Sequence, residues 1–239
     1  MRTARAAFVL ALAFALSGCG SSPRMARYRF TVEVEDNGRM VSGSAVQEEH
    51  CVFHDGLIRM GNALSCGVKG EAVVVDLGDK GQLFVLLTRD PGRPRLSDSP
   101  WGLVEYMHRN LFDPVGLTAA AFDRIASSRE TVTLDALHTP MMVRFRDIND
   151  PTSVELVDPQ HLDASFGSGV KFSKATLVIS DDPVSTGIEK RATWLPGLTG
   201  PHPATGTVLL SLTGSSLLYP FGDPKHSLAE SLYAAYFKN

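Results

Sequence analysis

The stretch YRFTVEVEDNGRMVSGSA, residues 28–45, predicts a β-hairpin and decides the fold class. Its Asn37-Gly38 pair supplies the positive φ angles that a two-residue type I′ turn requires. On both sides of the turn apolar and polar residues alternate, which is the pattern of strands with one buried face. A two-residue loop pairs Val34 with Val41, and this register keeps one apolar face across both strands. That inward face carries Tyr28, Phe30, Val32, Val34 and Val41.

Further strands are predicted downstream of this hairpin. Two apolar runs separated by residues 78–82 form a second hairpin. Both faces of these runs are apolar, so we expect them in a central position covered by helices or by a second layer. The segments predicted as strands are Ala72–Leu77, Leu83–Leu87, Met141–Ile148, Ser153–Val157, Lys171–Ser180 and Thr207–Leu212.

Helices are fewer, and their capping residues mark them. Ser227 and Glu230 form a capping box, and Asp158-Pro159 begins a short helix that Gly167 ends. The predicted helices are Trp101–Phe112, Leu117–Ser127, the short one between Asp158 and Gly167, and Leu228–Phe237. We therefore predict an α+β fold, mainly antiparallel β-sheet with a few short helices, in a single domain.

The composition is that of an ordinary globular chain. Of 239 residues, 44% are hydrophobic and 21% are charged, which excludes a collagen-like, coiled-coil or mainly disordered protein. The 23 basic and 26 acidic residues give a formal net charge of −3. Because this balance provides no basic excess, we expect no nucleic-acid partner.

The N-terminus has the features of a secretory signal peptide. Arg2 and Arg5 form a short positive region, and Ala6–Leu16 is an apolar run without charge. The run is too short for a transmembrane helix, which needs about 20 apolar residues. The junction Leu16-Ser17-Gly18-Cys19 resembles the lipobox of bacterial lipoproteins.

This resemblance implies that the chain is cut before Cys19 and that Cys19 carries the lipid. In that class the thiol receives a diacylglycerol and the new amino group usually receives a third acyl chain, and two or three chains anchor stably. The resemblance further implies a Gram-negative envelope. In that class an Asp directly after the lipidated Cys retains the protein in the inner membrane. This chain has Gly20 at that position, so the expected location is the outer membrane, facing the periplasm.

The body of the chain resembles a family of uncharacterised proteobacterial proteins. The residues that carry the resemblance are Tyr28–Val34, Ser42–Ser44, Lys69–Gly78, Asp150–Val154 and Gly187–Leu195. No activity is implied by it, only that this region folds as one unit. We expect a signal peptide at 1–18, a lipid-attached tether at 19–26, an α+β core domain at 27–195, and a Pro/Gly-rich break with a C-terminal helix packed on the core at 196–239.

Cys51 and Cys66 remain once Cys19 is assigned to the lipid. An even pair in an oxidising compartment predicts a disulfide, which would add about 3 kcal/mol by closing a loop of this length. Two alternatives stay open. The thiols could be free, or they could form a metal site with His50 and His54, although the spacing matches no common zinc pattern.

The usual catalytic patterns are absent from the sequence. It contains no Gly-x-Ser-x-Gly, His-Glu-x-x-His, Walker A or Gly-x-Gly-x-x-Gly motif. Clustered acids are weak candidates for calcium, and turn formation is the simpler interpretation. These acids are Asp147, Asp150, Asp158 and Asp163.

Two further segments are open to a functional or a structural interpretation. Residues 188–194 combine charges with Trp194, and packing of Trp194 on the sheet is the favoured interpretation. The C-terminus is rich in aromatic residues, which form a contact site only if they are not packed on the core. These aromatic residues are Tyr219, Phe221, Tyr233, Tyr236 and Phe237.

The sequence therefore predicts a lipid-anchored envelope protein that acts as a non-catalytic structural or interaction module. We expect no metal and no cofactor. The expected partners are the membrane, through the acyl anchor on Cys19, and an envelope protein that the sequence does not identify. The alternatives are an envelope hydrolase with an unrecognised site and a binder of a small or lipidic ligand.

Overall fold

The computed structural model describes residues 21–54, 64–88, 118–200, 208–214 and 225–238. Strands dominate these ranges, accompanied by three short helices. The strands are β1 Ser21–Asp36, β2 Arg39–His54, β3 Leu64–Lys69, β4 Val73–Asp76, β5 Gln82–Val85, β6 Thr131–Leu134, β7 Met142–Phe145, β8 Val154–Val157, β9 Val170–Ile179, β10 Thr199–Gly200 and β11 Val208–Leu209. The helices are α1 Ala119–Ser127, α2 Leu162–Phe166 and α3 Leu228–Ser231.

Two antiparallel sheets form the architecture. A five-stranded sheet has the order β3-β2-β1-β9-β6, and a four-stranded sheet has the order β4-β5-β7-β8. Strands β10 and β11 form a separate pair of two residues each. The prediction of a mainly antiparallel β fold with a few short helices is confirmed, and the predicted strands up to Ser180 are present with slightly different ends. Of the predicted strand Thr207–Leu212, only Val208–Leu209 is a strand in the described residues.

The β1–β2 hairpin has the predicted register. Asn37 and Gly38 have φ angles of 50° and 82°, as a type I′ turn demands. Val34 lies opposite Val41 and Phe30 lies opposite Ala45. From Tyr28 to Val34 the alternation buries the apolar side chains of β1 and leaves the polar ones on the outer face of the sheet.

The first core lies between the two sheets and under α1. It contains Phe30 and Val32 of β1, Val75 of β4, Leu83 of β5 and Phe122 of α1. Helix α1 begins at Ala119, two residues after the predicted start at Leu117, because the Thr118 hydroxyl accepts a hydrogen bond from the Ala121 N–H and caps the helix. Burial of these side chains supplies the main stabilisation of the five-stranded sheet.

The second core lies on the opposite face of the four-stranded sheet. Phe84 and Phe145 from the sheet pack against Trp194 and against Phe237 from the C-terminal segment. Strands β4 and β5 are therefore covered on both faces, which confirms the central position predicted from their two-sided apolar character.

Glu71 fastens the chain beside the second core. Its side chain is only 5% exposed, and one carboxylate oxygen accepts hydrogen bonds from the N–H groups of Gly187 and Ile188, at 2.6 and 3.1 Å. The ammonium of Lys238 lies 4.0 Å from the same carboxylate. The buried charge is thus shared by two backbone donors and a cation, as a buried carboxylate requires.

Two predicted helices differ from the structure. Helix α2 begins at Leu162 rather than after Asp158, because the Asp158 carboxylate accepts from the Gln160 N–H and forms a turn before the helix. The predicted helix Leu228–Phe237 ends at Ser231, although its capping box is present. Beyond it, Leu232 and Ala234 bond instead to the backbone of residues 210–212, and only a short 3₁₀ turn follows.

The predicted tether also differs in part. Strand β1 begins at Ser21, so the segment Ser21–Ala26 pairs with the end of β2. The pairing satisfies backbone groups that a tether would leave to water. Residues 1–18, Cys19 and the predicted helix Trp101–Phe112 lie outside the described residues. None of the helices in the described ranges is long and apolar enough to cross a membrane.

Candidate functional site

The chemically distinctive residues lie at one end of the five-stranded sheet, which we call the disulfide end. At this end β1 begins at Ser21 and β2 ends at His54. Cys51 of β2 lies directly opposite Cys66 of β3, and their sulfurs are bonded at 2.04 Å. The Cα atoms are 4.1 Å apart, close to the spacing of about 4.5 Å in a non-hydrogen-bonded antiparallel pair. The predicted disulfide is confirmed, and the free-thiol alternative is wrong.

Buried polar groups surround this bridge on the inner face of the sheet. Glu49 is 1% exposed, and its carboxylate oxygen Oε1 lies 3.7 Å from Sγ of Cys51. A disulfide sulfur carries no proton, so this is a polar contact and not a hydrogen bond. One carboxylate oxygen of Glu49 and the sulfurs of Cys51 and Cys66 all lie within 4.8 Å of one another.

Tyr28 lies on the same inner face. Its side chain is fully buried, and its hydroxyl has no hydrogen-bond partner among the described residues. Burial, and secondarily the nearby charge of Glu49, raise the pKa of Tyr28 well above its ordinary value. The hydroxyl therefore stays neutral, and the buried polar side chains of Gln47 and Glu49 lie on the same inner face of β2.

The zinc alternative does not fit this geometry. His50 is exposed, whereas Cys51 is buried on the inner face. The His50 imidazole lies over Gly67, so close that a Cβ on Gly67 would be 2.8 Å from Nε2. With both sulfurs bonded to each other, no thiolate remains for a metal. The His54 side chain lies outside what the structure describes.

A shallow cleft of about 320 Å³ lies beside β1 on its other edge. Strand β9 ends at Ile179, and the Ser180 N–H donates to the Arg27 carbonyl as the last bond along this edge among the described residues. The cleft lining mixes apolar and charged side chains. It includes Met25, Ala26, Arg27, Glu48, Ile179 and Asp181.

The charges around this cleft are paired. Arg27 and Glu48 form an ion pair at 2.8 Å, and Asp181 pairs with Arg129 at 3.1 Å. Met25 is 68% exposed and is the most exposed large apolar side chain in the described residues. The cleft is therefore an open surface of mixed character and not an enclosed apolar cavity.

The other candidate residues have structural roles. Asp147 and Asp150 accept hydrogen bonds from the N–H groups of Asn149 and Thr152, which are turn contacts. Within the described ranges, the acids proposed for calcium do not converge into a group of three ligands. The carboxylate of Asp158 hydrogen bonds the exposed ring of His161 and raises its pKa.

Trp194 packs as the favoured interpretation predicted. Its indole N–H donates to the Ile148 carbonyl at 2.9 Å, and its ring contacts Phe145 and Phe237 with centroids 5.3 and 5.4 Å apart. Phe237 is fully buried, so the described end of the aromatic C-terminus belongs to the second core. Tyr219 and Phe221 lie outside the described residues.

Sequence reasoning missed the site's most unusual group, Glu49. Strand alternation from Val41 onward places every second residue of β2 on the inner face, and this pattern reaches Glu49.

Comparison of the chain with protein-family models, with curated proteins and with solved structures found no match. The resemblance of residues 27–195 to proteobacterial proteins stays a prediction.

Proposed function

We propose that this chain is a lipid-anchored cell-envelope protein that acts as a non-catalytic structural or interaction module facing the periplasm. The Cys51–Cys66 disulfide is the observation that carries the proposal. Disulfides persist in oxidising compartments outside the cytosol, which is where a chain with a lipobox is delivered. The membrane anchor in this proposal is the acylated Cys19, and the preferred address is the outer membrane.

The fold supports a position close to the membrane surface. Strand β1 begins only two residues after Cys19. At about 3.3 Å per residue, the first strand starts within roughly 7 Å of the anchor along the chain. An acylated Cys19 would therefore hold the disulfide end of the sheet next to the lipid headgroups, with the opposite end reaching into the periplasm.

The two hydrophobic cores support the interpretation that the described ranges are a folded module and not a linker. Two cores share the four-stranded sheet, and the C-terminal segment contributes Leu212, Leu232 and Phe237 to the second core. We infer from this sharing that the described ranges form a single domain. The cleft at Met25 is open and mixed in character, which favours contact with another macromolecule over an enclosed small or lipidic ligand.

Metabolic labelling with a clickable fatty acid tests the anchor. The wild-type chain is expected to take up the label and to be cut before Cys19. The variant Cys19→Ala is expected to remain unlabelled and uncut. Cys51→Ala is the matched control, since it also removes a cysteine but should keep the label. Equal labelling of Cys19→Ala and the wild type would remove the lipoprotein assignment.

A further inference from the structure

We propose that the sheet lies inclined on the membrane, with the outer face of the disulfide end against the lipid headgroups, Met25 in contact with lipid and Lys69 beside a lipid phosphate. The outer face is the side of the five-stranded sheet that points away from the first core. This inference rests on the proposed function, because it requires the acyl anchor on Cys19. It adds the face of the sheet that the membrane covers and the side chains that contact it.

The anchor keeps the start of β1 within reach of the bilayer. Met25 follows Cys19 by six residues, so it lies at most about 22 Å from the anchor along the chain. The headgroups form a layer of roughly 5–7 Å on each side of the hydrocarbon. A strand that stood upright would carry Met25 above this layer. An inclined strand instead lays one face of the sheet on the headgroups.

The two sides of the disulfide end differ in the side chains that they present. The inner side is covered by α1, and the exposed side chains of this helix include Asp123, Arg124 and Ser127. The outer side presents Pro23 and Met25 of β1, which are both exposed and uncharged. Met25 is 68% exposed although its side chain is large and apolar. The inclined sheet therefore lies on its outer face, where apolar side chains meet the headgroup layer.

The neighbouring strands extend this surface. Val52 of β2 lies opposite Pro23 and is partly exposed, and His50 lies opposite Met25 and is exposed. The His50 ring lies close over Gly67 of β3, so it covers the sheet and does not stand away from it. The surface across the three strands is therefore low enough for headgroups to lie along it. The cleft on the β9 side of Met25 stays open at the margin of this contact.

A row of charges borders the apolar side chains. Arg27 of β1, Glu48 of β2 and Lys69 of β3 lie directly opposite one another across the three strands. Arg27 and Glu48 form an ion pair at 2.8 Å. Lys69 is exposed and has no ion partner among the described residues. The row thus leaves one positive charge beside the apolar side chains, and a lipid phosphate is the anion that pairs with it.

Oxidation of two methionines tests the contact on the acylated full chain in vesicles of phosphatidylethanolamine and phosphatidylglycerol. Chloramine-T, an anionic oxidant that stays in water, converts exposed methionine to the sulfoxide. Met40 is the internal control, because it is 50% exposed and lies at the hairpin turn, the opposite end of the sheet. Exposure alone makes Met25 react at least as fast as Met40. With the headgroups covering Met25, we expect it to react at least about fivefold more slowly than Met40.

The same digest separates failure of this contact from failure of the anchor. An acylated Cys19 together with equal oxidation of Met25 and Met40 would overturn the contact and leave the proposed function intact. An N-terminal peptide without acyl chains would overturn both.

A pair of charge reversals tests the role of Lys69. Lys69→Glu places a carboxylate beside the anionic headgroups, so we expect the oxidation of Met25 to become at least about twofold faster relative to Met40. Lys171→Glu is the matched control, since Lys171 is also exposed and lies near the hairpin turn, opposite Glu35. This variant should leave the ratio unchanged. An equal ratio in both variants would overturn the placement of Lys69 at the headgroups.

Discussion

Gly43→Ala should push apart the two sheets where β2 packs on β4. Gly43 lies on β2, and a Cβ built there would be 2.1 Å from the carbonyl oxygen of Val74 on β4 and 2.6 Å from its carbonyl carbon. Both contacts are with backbone, which cannot rotate away as a flexible side chain can. The strands would have to move apart by roughly 1 Å or more to reach ordinary contact.

Overpacking of this kind costs about 1–3 kcal/mol, and a backbone clash belongs at the upper end. We expect a loss of about 3 kcal/mol in the free energy of unfolding and a fall of about 6–12 °C in Tm. Urea unfolding of a soluble form beginning at Ser21 provides the measurement. Gly197→Ala is the matched control, since Gly197 is exposed, has no positive φ and has open space at its Cβ. If the two variants were equally stable, the proposed packing of β4 on β2 would be refuted.

Three further predictions concern a buried core residue, the hydrogen bonds of Glu71 and a pH-dependent ion pair. Phe30→Ala should cost about 3–5 kcal/mol by urea unfolding because Phe30 is 1% exposed, while Glu33→Ala on the outer face should cost within about 0.5 kcal/mol; the reverse order would mean the register is wrong. Glu71→Ala should lower the free energy of unfolding by about 2 kcal/mol or more, since two backbone N–H groups lose their acceptor; an unchanged stability would argue against this contact. The hydrogen bond from Arg191 lowers the pKa of Asp76 below its ordinary 3.8, so its stabilisation is present above that pH and is lost as pH falls through the folded-state pKa. The free energies of unfolding of the wild type and of Asp76→Asn, measured by urea titration, should therefore converge only below pH 3.8. A difference in free energy that stays constant to lower pH would exclude the Asp76–Arg191 pair as its cause.

Local signals in the sequence were enough to predict the hairpin. The Asn37-Gly38 turn and the alternation around it act within a few residues, so register and buried face follow without knowledge of the rest of the chain. The pairing of β1 with β9 could not be predicted in the same way. Its partners, such as Phe30 and Leu177, are far apart in sequence, and no local pattern specifies which strand fills that place.

Long-range contacts explain why the C-terminal helix is shorter than predicted. The capping box at Ser227 was predicted and is present, but bonds to residues 210–212 replace the helix after Ser231. Tertiary hydrogen bonds thus override a local helical preference. Burial of Glu49 was missed for a different reason. The alternation of β2 placed this position on the inner face. A glutamate side chain is seldom buried completely, however, so the residue type indicated exposure.

The most direct test of the central claim is the mass of the protein extracted from membranes of its native envelope. Digestion without reduction, followed by mass spectrometry, reports both the N-terminal residue and the bridge. The account predicts a chain that begins at Cys19, with a diacylglycerol on its sulfur, and a single peptide pair joined through Cys51 and Cys66. An unmodified Cys19 inside a longer chain would contradict the lipid anchor.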